Sequence, residues 1–124
     1  MDNSIRLKTQ VSRSLINLDK VTAINSDVSS VMTASQMINS SIFTGTPGEA
    51  INLTTATATE IYNALSTPEI GSWFEFTVIS LAAFNITLIA SASVTIVGNN
   101  VVNNSSATFI CRIDGEASVT IYRK

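Results

Sequence analysis

From Trp73 to the end of the chain the side chains change character at every second position, and this period of two constrains the fold more than any other feature of the sequence. In Trp73-Phe-Glu-Phe-Thr-Val78, residues Phe74, Phe76 and Val78 fall on one side and Glu75 and Thr77 on the other. That is the pattern of a strand with one face in a core. Ile86 and Leu88, Val94 and Ile96, Phe109, Cys111 and Ile113, and Val119 and Ile121 repeat it, so at least five closely spaced strands are predicted. Gly98-Asn99-Asn100 and Asp114-Gly115 tolerate positive φ, as hairpin turns require. The expected fold class is mainly β, an antiparallel β-sandwich or jelly-roll-like domain.

Ahead of these strands the period changes. Thr57 followed by Glu60 is a capping box, and Ala58, Ile61, Tyr62 and Leu65 then share one face of a helix that Pro68 stops. One short helix is therefore predicted. Thr44-Gly45-Thr46-Pro47-Gly48 interrupts any periodic element. The expected organisation is an N-terminal arm or short stalk over residues 1–45 and a β-sandwich domain over 46–124. Within the arm, Val21, Ile24, Val28, Val31 and Ile38 keep a coiled-coil-like spacing. This covers only about two and a half heptads among poor helix formers, so a short packed helix or strand stands beside the coiled-coil reading.

Charge is scarce and unevenly placed. Only 13% of residues are charged, and 17 Ser, 15 Thr, 11 Asn and 2 Gln supply the polarity instead. Such residues compete with helical hydrogen bonds and suit sheets and loops. Arg6, Lys8, Arg13 and Lys20 are four of seven basic residues, and residues 21–111 contain none. With Ile5, Leu7, Thr9 and Val11 alternating, the leading segment is a candidate docking arm that could add a strand to a partner's sheet edge. Its residues are Ile5, Arg6, Leu7, Lys8, Val11, Arg13 and Lys20.

Several function classes lose support at once. The chain has no histidine, which removes the commonest general base and most transition-metal ligand sets. No enzyme activity, metal or cofactor is expected. The single cysteine, Cys111, lies in phase with Phe109 and Ile113 and reads as a small core residue. Asp114 and Glu116 flank Gly115 and read as turn and strand-start residues rather than a calcium site. Five Asn-x-Ser/Thr acceptors, at Asn39, Asn52, Asn85, Asn103 and Asn104, follow from composition. A net charge of −2 without a basic aromatic patch argues against nucleic acid. Phe76 to Ala90 is apolar but too short and too interrupted for a spanning helix, so no membrane partner is expected, and the amino terminus lacks the shape of a signal peptide.

The ordered series Thr57-Ala-Thr-Glu-Ile-Tyr-Asn-Ala-Leu65, Pro68, Gly71-Ser-Trp-Phe-Glu-Phe76, Ile86-Thr-Leu88, Val94-Thr-Ile96, Ser106-Ala-Thr-Phe109 and Ala117-Ser-Val-Thr-Ile-Tyr-Arg123 resembles the small β-rich domains of phage and viral capsid decoration proteins, the cement and head-fibre class. The resemblance spans about residues 46–124. It implies a jelly-roll-like homotrimer on the outer surface of a virion, bound to the major capsid protein. This chain departs from the pattern at Leu81-Ala-Ala-Phe84, apolar where the family tends to carry a Gly- and Asn-rich turn. Trp73, out of phase with its strand's inner face, and Leu81 and Phe84 are therefore candidate subunit contacts. A receptor- or carbohydrate-binding tail-fibre or spike module is the alternative, since aromatics such as Trp73, Tyr62 and Tyr122 could form a sugar-binding face.

Overall fold

A computed structural model describes residues 21–23, 29–39, 42–66 and 68–124. Two sheets face one another across a single core. The element order is β1 (Val21–Ala23), β2 (Ser30–Val31), α1 (Ala34–Asn39), β3 (Ile42–Gly45), β4 (Ile51–Thr54), α2 (Ala58–Ala64), β5 (Trp73–Ser80), β6 (Asn85–Ile89), β7 (Val94–Val97), β8 (Val101–Asn103), β9 (Ser106–Gly115) and β10 (Ser118–Arg123). Six strands form one sheet in the order β1-β3-β5-β9-β10-β7, and four form the other in the order β2-β4-β6-β8.

The chain winds between the sheets. From β1 to β9 each successive strand joins the opposite sheet, so strands within a sheet stack in parallel: β1 on β3 on β5, and β2 on β4 on β6. The expected antiparallel sandwich or jelly roll is therefore wrong, and the architecture is mixed α/β, with largely parallel sheets and, among the described residues, two short helices. Among the described residues, antiparallel pairing is confined to β5 with β9, β9 with β10, and β6 with β8. Asp114-Gly115 does begin the β9–β10 hairpin, with an irregular register at Ser118 and Val119. Gly98-Asn99-Asn100 instead carries the chain from β7 in one sheet to β8 in the other.

Parallel register places like residues on like. Ile51 pairs with Ile86, which pairs with Val102, and Leu53 pairs with Leu88; all five are at most 3% exposed. Opposite them, Phe43 pairs with Val78, which pairs with Ala107, and Phe76 pairs with Phe109. These two inner faces close one core. β1, β2, α1 and β3 precede the Gly45–Gly48 break, and their strands belong to the same two sheets as β4 to β10. Of the residues with coiled-coil spacing, Val21 lies in β1, Val31 in β2 and Ile38 in α1; Ile24 and Val28 fall outside the described residues.

Both helices fill crossings from the four-stranded to the six-stranded sheet, and they pack on each other. Met37 of α1 is fully buried, and its sulfur accepts the backbone N–H of Ala56 at 3.4 Å. In α2, Ala58 and Ile61 are buried, with Tyr62 and Leu65 packed against the core. Its start is a complete capping box: the Glu60 N–H donates to Thr57 Oγ1 at 3.2 Å, and the Thr57 N–H donates to Glu60 Oε1 at 2.9 Å. α1 uses the same device, with the Gln36 N–H donating to Thr33 Oγ1 at 3.0 Å and the Thr33 N–H to Gln36 Oε1 at 2.9 Å.

Thr57→Ala is expected to cost about 1 kcal/mol in urea unfolding, the typical worth of such a cap. The box also predicts a pH dependence. The Thr57 backbone N–H first, and its hydroxyl second, hold the Glu60 carboxyl below its ordinary value. A depressed folded pKa adds stability above the unfolded value and loses it as pH falls through the folded value. Stability should therefore drop on acidification below about pH 4.5 more in the wild type than in Glu60→Gln, whose amide keeps the hydrogen bond without titrating. Equal acid sensitivity of the two proteins would contradict the assignment.

Candidate interaction surfaces

The outer face of the six-stranded sheet is built by the residues out of phase with the core. One row across it reads Trp73, Arg112, Thr120, Thr95, and the next reads Glu75, Ile110, Tyr122, Val97, each residue paired with its neighbour on the adjacent strand. Trp73 is 61% exposed, Val97 47% and Tyr122 38%. Further along, Thr77 and Thr108 share a hydroxyl hydrogen bond at 3.0 Å, and Val21, Ile42 and Thr77 form a third row.

The charges on the face are paired with each other. Lys124 Nζ meets Glu75 Oε2 at 2.9 Å, and the Asp114 carboxylate accepts from Arg112 Nη1 and from the Thr120 hydroxyl. Exposed pairs of this kind add little to stability. Their effect is to leave a face of hydroxyls, aliphatics and aromatics with its local charge balanced. Asp114 thus buttresses the hairpin, while Glu116 is exposed beyond it.

Leu81 and Phe84 lie elsewhere. Trp73 begins β5, whereas Leu81 follows its last residue, which separates them by roughly 25 Å of extended strand. The Leu81 N–H donates to the Gly45 carbonyl at 2.7 Å, and the Ser80 hydroxyl donates to the Ala82 and Phe84 carbonyls at 3.1 and 3.0 Å. Ser80, 2% exposed, ties the apolar turn that replaces a Gly- and Asn-rich one. Leu81 at 61% and Phe84 at 45% exposure form a second surface, so the three candidate subunit contacts do not form one patch. Ile5, Arg6, Leu7, Lys8, Val11, Arg13 and Lys20 lie outside the described residues.

Tyr122, Val97 and Ile110 join Trp73 in the structure, and their phase relative to Ile121, Ile96 and Cys111 already assigns them to the outer face. Their adjacency depends on β7 running parallel to β10, which the alternation does not encode. Tyr62 is half-buried against the core and belongs to no such face.

Cys111 is fully buried between the sheets. Burial strips hydration from a thiolate there, and the nearby Asp114 charge adds to the effect, so the thiol is pushed up to about 12. It should not react with an aromatic disulfide reagent at pH 8 in the native protein and should react with one equivalent after guanidinium unfolding. Rapid native-state modification would contradict its placement. Among the described residues, no three Cys, Asp or Glu side chains are grouped to hold a metal ion, and no helix is long and apolar enough to cross a membrane. In comparisons with protein families, characterised proteins and solved structures, the chain has no match.

Proposed function

We propose that this chain is a structural virion protein, a capsid decoration or cement protein that assembles as a homotrimer and seats on the outer surface of a shell through the major capsid protein. The observation that carries the reading is the outer face of the six-stranded sheet. It presents Ile110, Tyr122 and Val97 side by side with Trp73 one row away, and its charges are already paired. Trp and Tyr are the residues most enriched at the energetic centres of interfaces, and a face with few unpaired charges incurs little desolvation cost when covered. The Leu81 and Phe84 turn supplies a separate contact for a second neighbour. A particle component needs two surfaces, one for its own copies and one for the shell.

Native mass spectrometry at micromolar concentration, followed by co-sedimentation with capsids, tests this directly. A trimer that pellets with capsids is expected, and Trp73→Ala with Tyr122→Ala should weaken one of the two contacts at least tenfold. A monomer that stays in the supernatant would overturn the reading. The exposure of Trp73 and Tyr122 beside Arg112, Thr95 and Thr120 also favours a receptor- or carbohydrate-binding module as the second reading. Glycan-array binding lost in Trp73→Ala, with the oligomer intact, would transfer the face to that role.

A further inference from the structure

The outer face of the six-stranded sheet divides by charge. On β5 and β9 its outward side chains include Glu75, Arg112 and Asp114, and Lys124, just beyond β10, reaches back to Glu75 at 2.9 Å. On β10 and β7 the outward side chains are all neutral: Ser118, Thr120 and Tyr122 on the first, Thr95 and Val97 on the second. Arg123 is in phase with the core, where its Nη1 donates to the Asn99 and Val101 carbonyls. We infer that copies of this chain meet one another on the β10–β7 half of the face, with Val97 and Tyr122 beside the symmetry axis and the Leu81–Phe84 turn outside the contact. The inference rests on the homotrimer proposed above and names the surface that forms it.

The chemistry of self-contact selects this half. Next to a symmetry axis a side chain meets its own copies, so the groups there must be compatible with themselves. A carboxylate only accepts hydrogen bonds, an ammonium or guanidinium only donates them, and each repels its own copy. A hydroxyl both donates and accepts, so Thr95 and Tyr122 can bond to the same groups on another chain. The Thr120 hydroxyl donates to Asp114 and keeps its acceptor capacity. Val97 adds apolar surface with nothing polar to strand. The β5–β9 half lacks this property, because Glu75 and Arg112 would each face a like charge at an axis.

The same half is exposed and firmly held. Val97 is 47% and Tyr122 38% exposed, whereas Val94, Val119 and Ile121 on the reverse side of the same strands are at most 8% exposed. β10 is paired along both edges. Little conformational freedom is left to lose on association. The Leu81–Phe84 turn is a separate fixed feature, since the Ser80 hydroxyl holds the Ala82 and Phe84 carbonyls and the Asn103 side-chain amide donates to the Ala83 carbonyl at 3.4 Å. Tyr122 shares a row with Glu75, and Leu81 lies six residues beyond Glu75, about 20 Å along extended chain. A contact centred on Tyr122 and Val97 leaves that turn clear.

One position carrying either sign of charge tests the self-contact. Val97→Lys and Val97→Glu are each expected to weaken trimer formation on the order of 100-fold in native mass spectrometry over a dilution series, because a like charge then meets itself whichever sign it has. An equal mixture of the two variants should assemble again, into trimers that contain both, which also shows that each one folds. Phe84→Glu should keep the wild-type trimer. Trimers that survive both Val97 substitutions would overturn the inference, as would a mixture that stays monomeric or a Phe84→Glu protein that dissociates. A wild-type trimer that behaves as expected here and yet stays in the supernatant with capsids would support this contact and overturn the virion role alone.

Discussion

Replacing Phe109 with alanine is expected to cost about 3–5 kcal/mol, a large share of the roughly 5–15 kcal/mol that holds a domain of this size. Phe109 is fully buried on β9. Its ring stacks on Phe76 at 5.6 Å and 26°, and Phe76 meets Phe43 edge-on at 5.9 Å and 82°. Three rings thus tie β3, β5 and β9 across the centre of the six-stranded sheet, and the Arg123 guanidinium lies 5.9 Å from the Phe109 ring. The strands on either side are fixed by their backbone ladders, so the site cannot collapse around a missing ring. The predicted loss is therefore near the upper part of the range for such truncations. Phe109→Leu, which refills most of the volume, should cost less than half as much. Urea titration followed by circular dichroism measures both, and a Phe109→Ala loss under about 1.5 kcal/mol would show that the core relaxes more than this packing allows.

The strands of the C-terminal half are legible because each keeps one face in the core. Their pairing is not, for a physical reason. Parallel sheets usually have both faces covered and read as continuous apolar runs. Here the parallel strands β3 and β5, and β4 and β6, each keep a polar outward row, such as Thr77 or Asn52 and Thr87. A half-buried parallel strand and a half-buried antiparallel strand alternate in the same way, so Phe74, Phe76 and Val78 specify a face without specifying a neighbour. β1, β2 and β8 are two or three residues long, too short for any period to emerge.

The helices divide similarly. Thr57 and Glu60 announce α2 because an apolar stripe comes after them. Thr33 and Gln36 make the same reciprocal bonds at α1, but Ser35, Asn39 and neighbouring Thr residues are weak helix formers and only Met37 is fully buried. The outer-face residues are accessible from phase alone: Trp73 alternates with Phe74, and Tyr122 with Ile121. That they stand one row apart requires the order β5-β9-β10-β7. A cleft beside β2 has no local signature, because its lining is drawn from β1, β2, α1, β3 and β4, segments far apart in the sequence.

Gly98 is where a hairpin signal becomes a change of sheet, and substituting it should produce the second large loss of stability. It adopts φ +100°, and a Cβ placed on it would lie 3.0 Å from the Arg123 Cβ, with the Arg123 backbone nitrogen and Cα behind at 3.7 and 3.9 Å. Relief by moving Arg123 is blocked, since its Nη1 donates to the Asn99 and Val101 carbonyls at 3.1 and 2.9 Å while β10 is paired on both sides. Asn100 fixes the far side of the corner: its backbone carbonyl accepts from the Leu88 N–H at 2.8 Å, and its side-chain amide donates to the Leu88 carbonyl at 2.9 Å. A β-branched residue at such φ costs about 1–3 kcal/mol from backbone strain alone, and the contact with Arg123 adds to it. Gly98→Val is thus expected to lose on the order of 3 kcal/mol, with Gly98→Ala somewhat less. Gly48, where an added Cβ would meet no atom within 4 Å and φ is not positive, is the control: Gly48→Ala should be neutral or slightly stabilising. If Gly98→Val unfolded at the same urea concentration as Gly48→Ala, the chain would have to pass from β7 to β8 by a different route, and that side of the sandwich would not be closed by this corner.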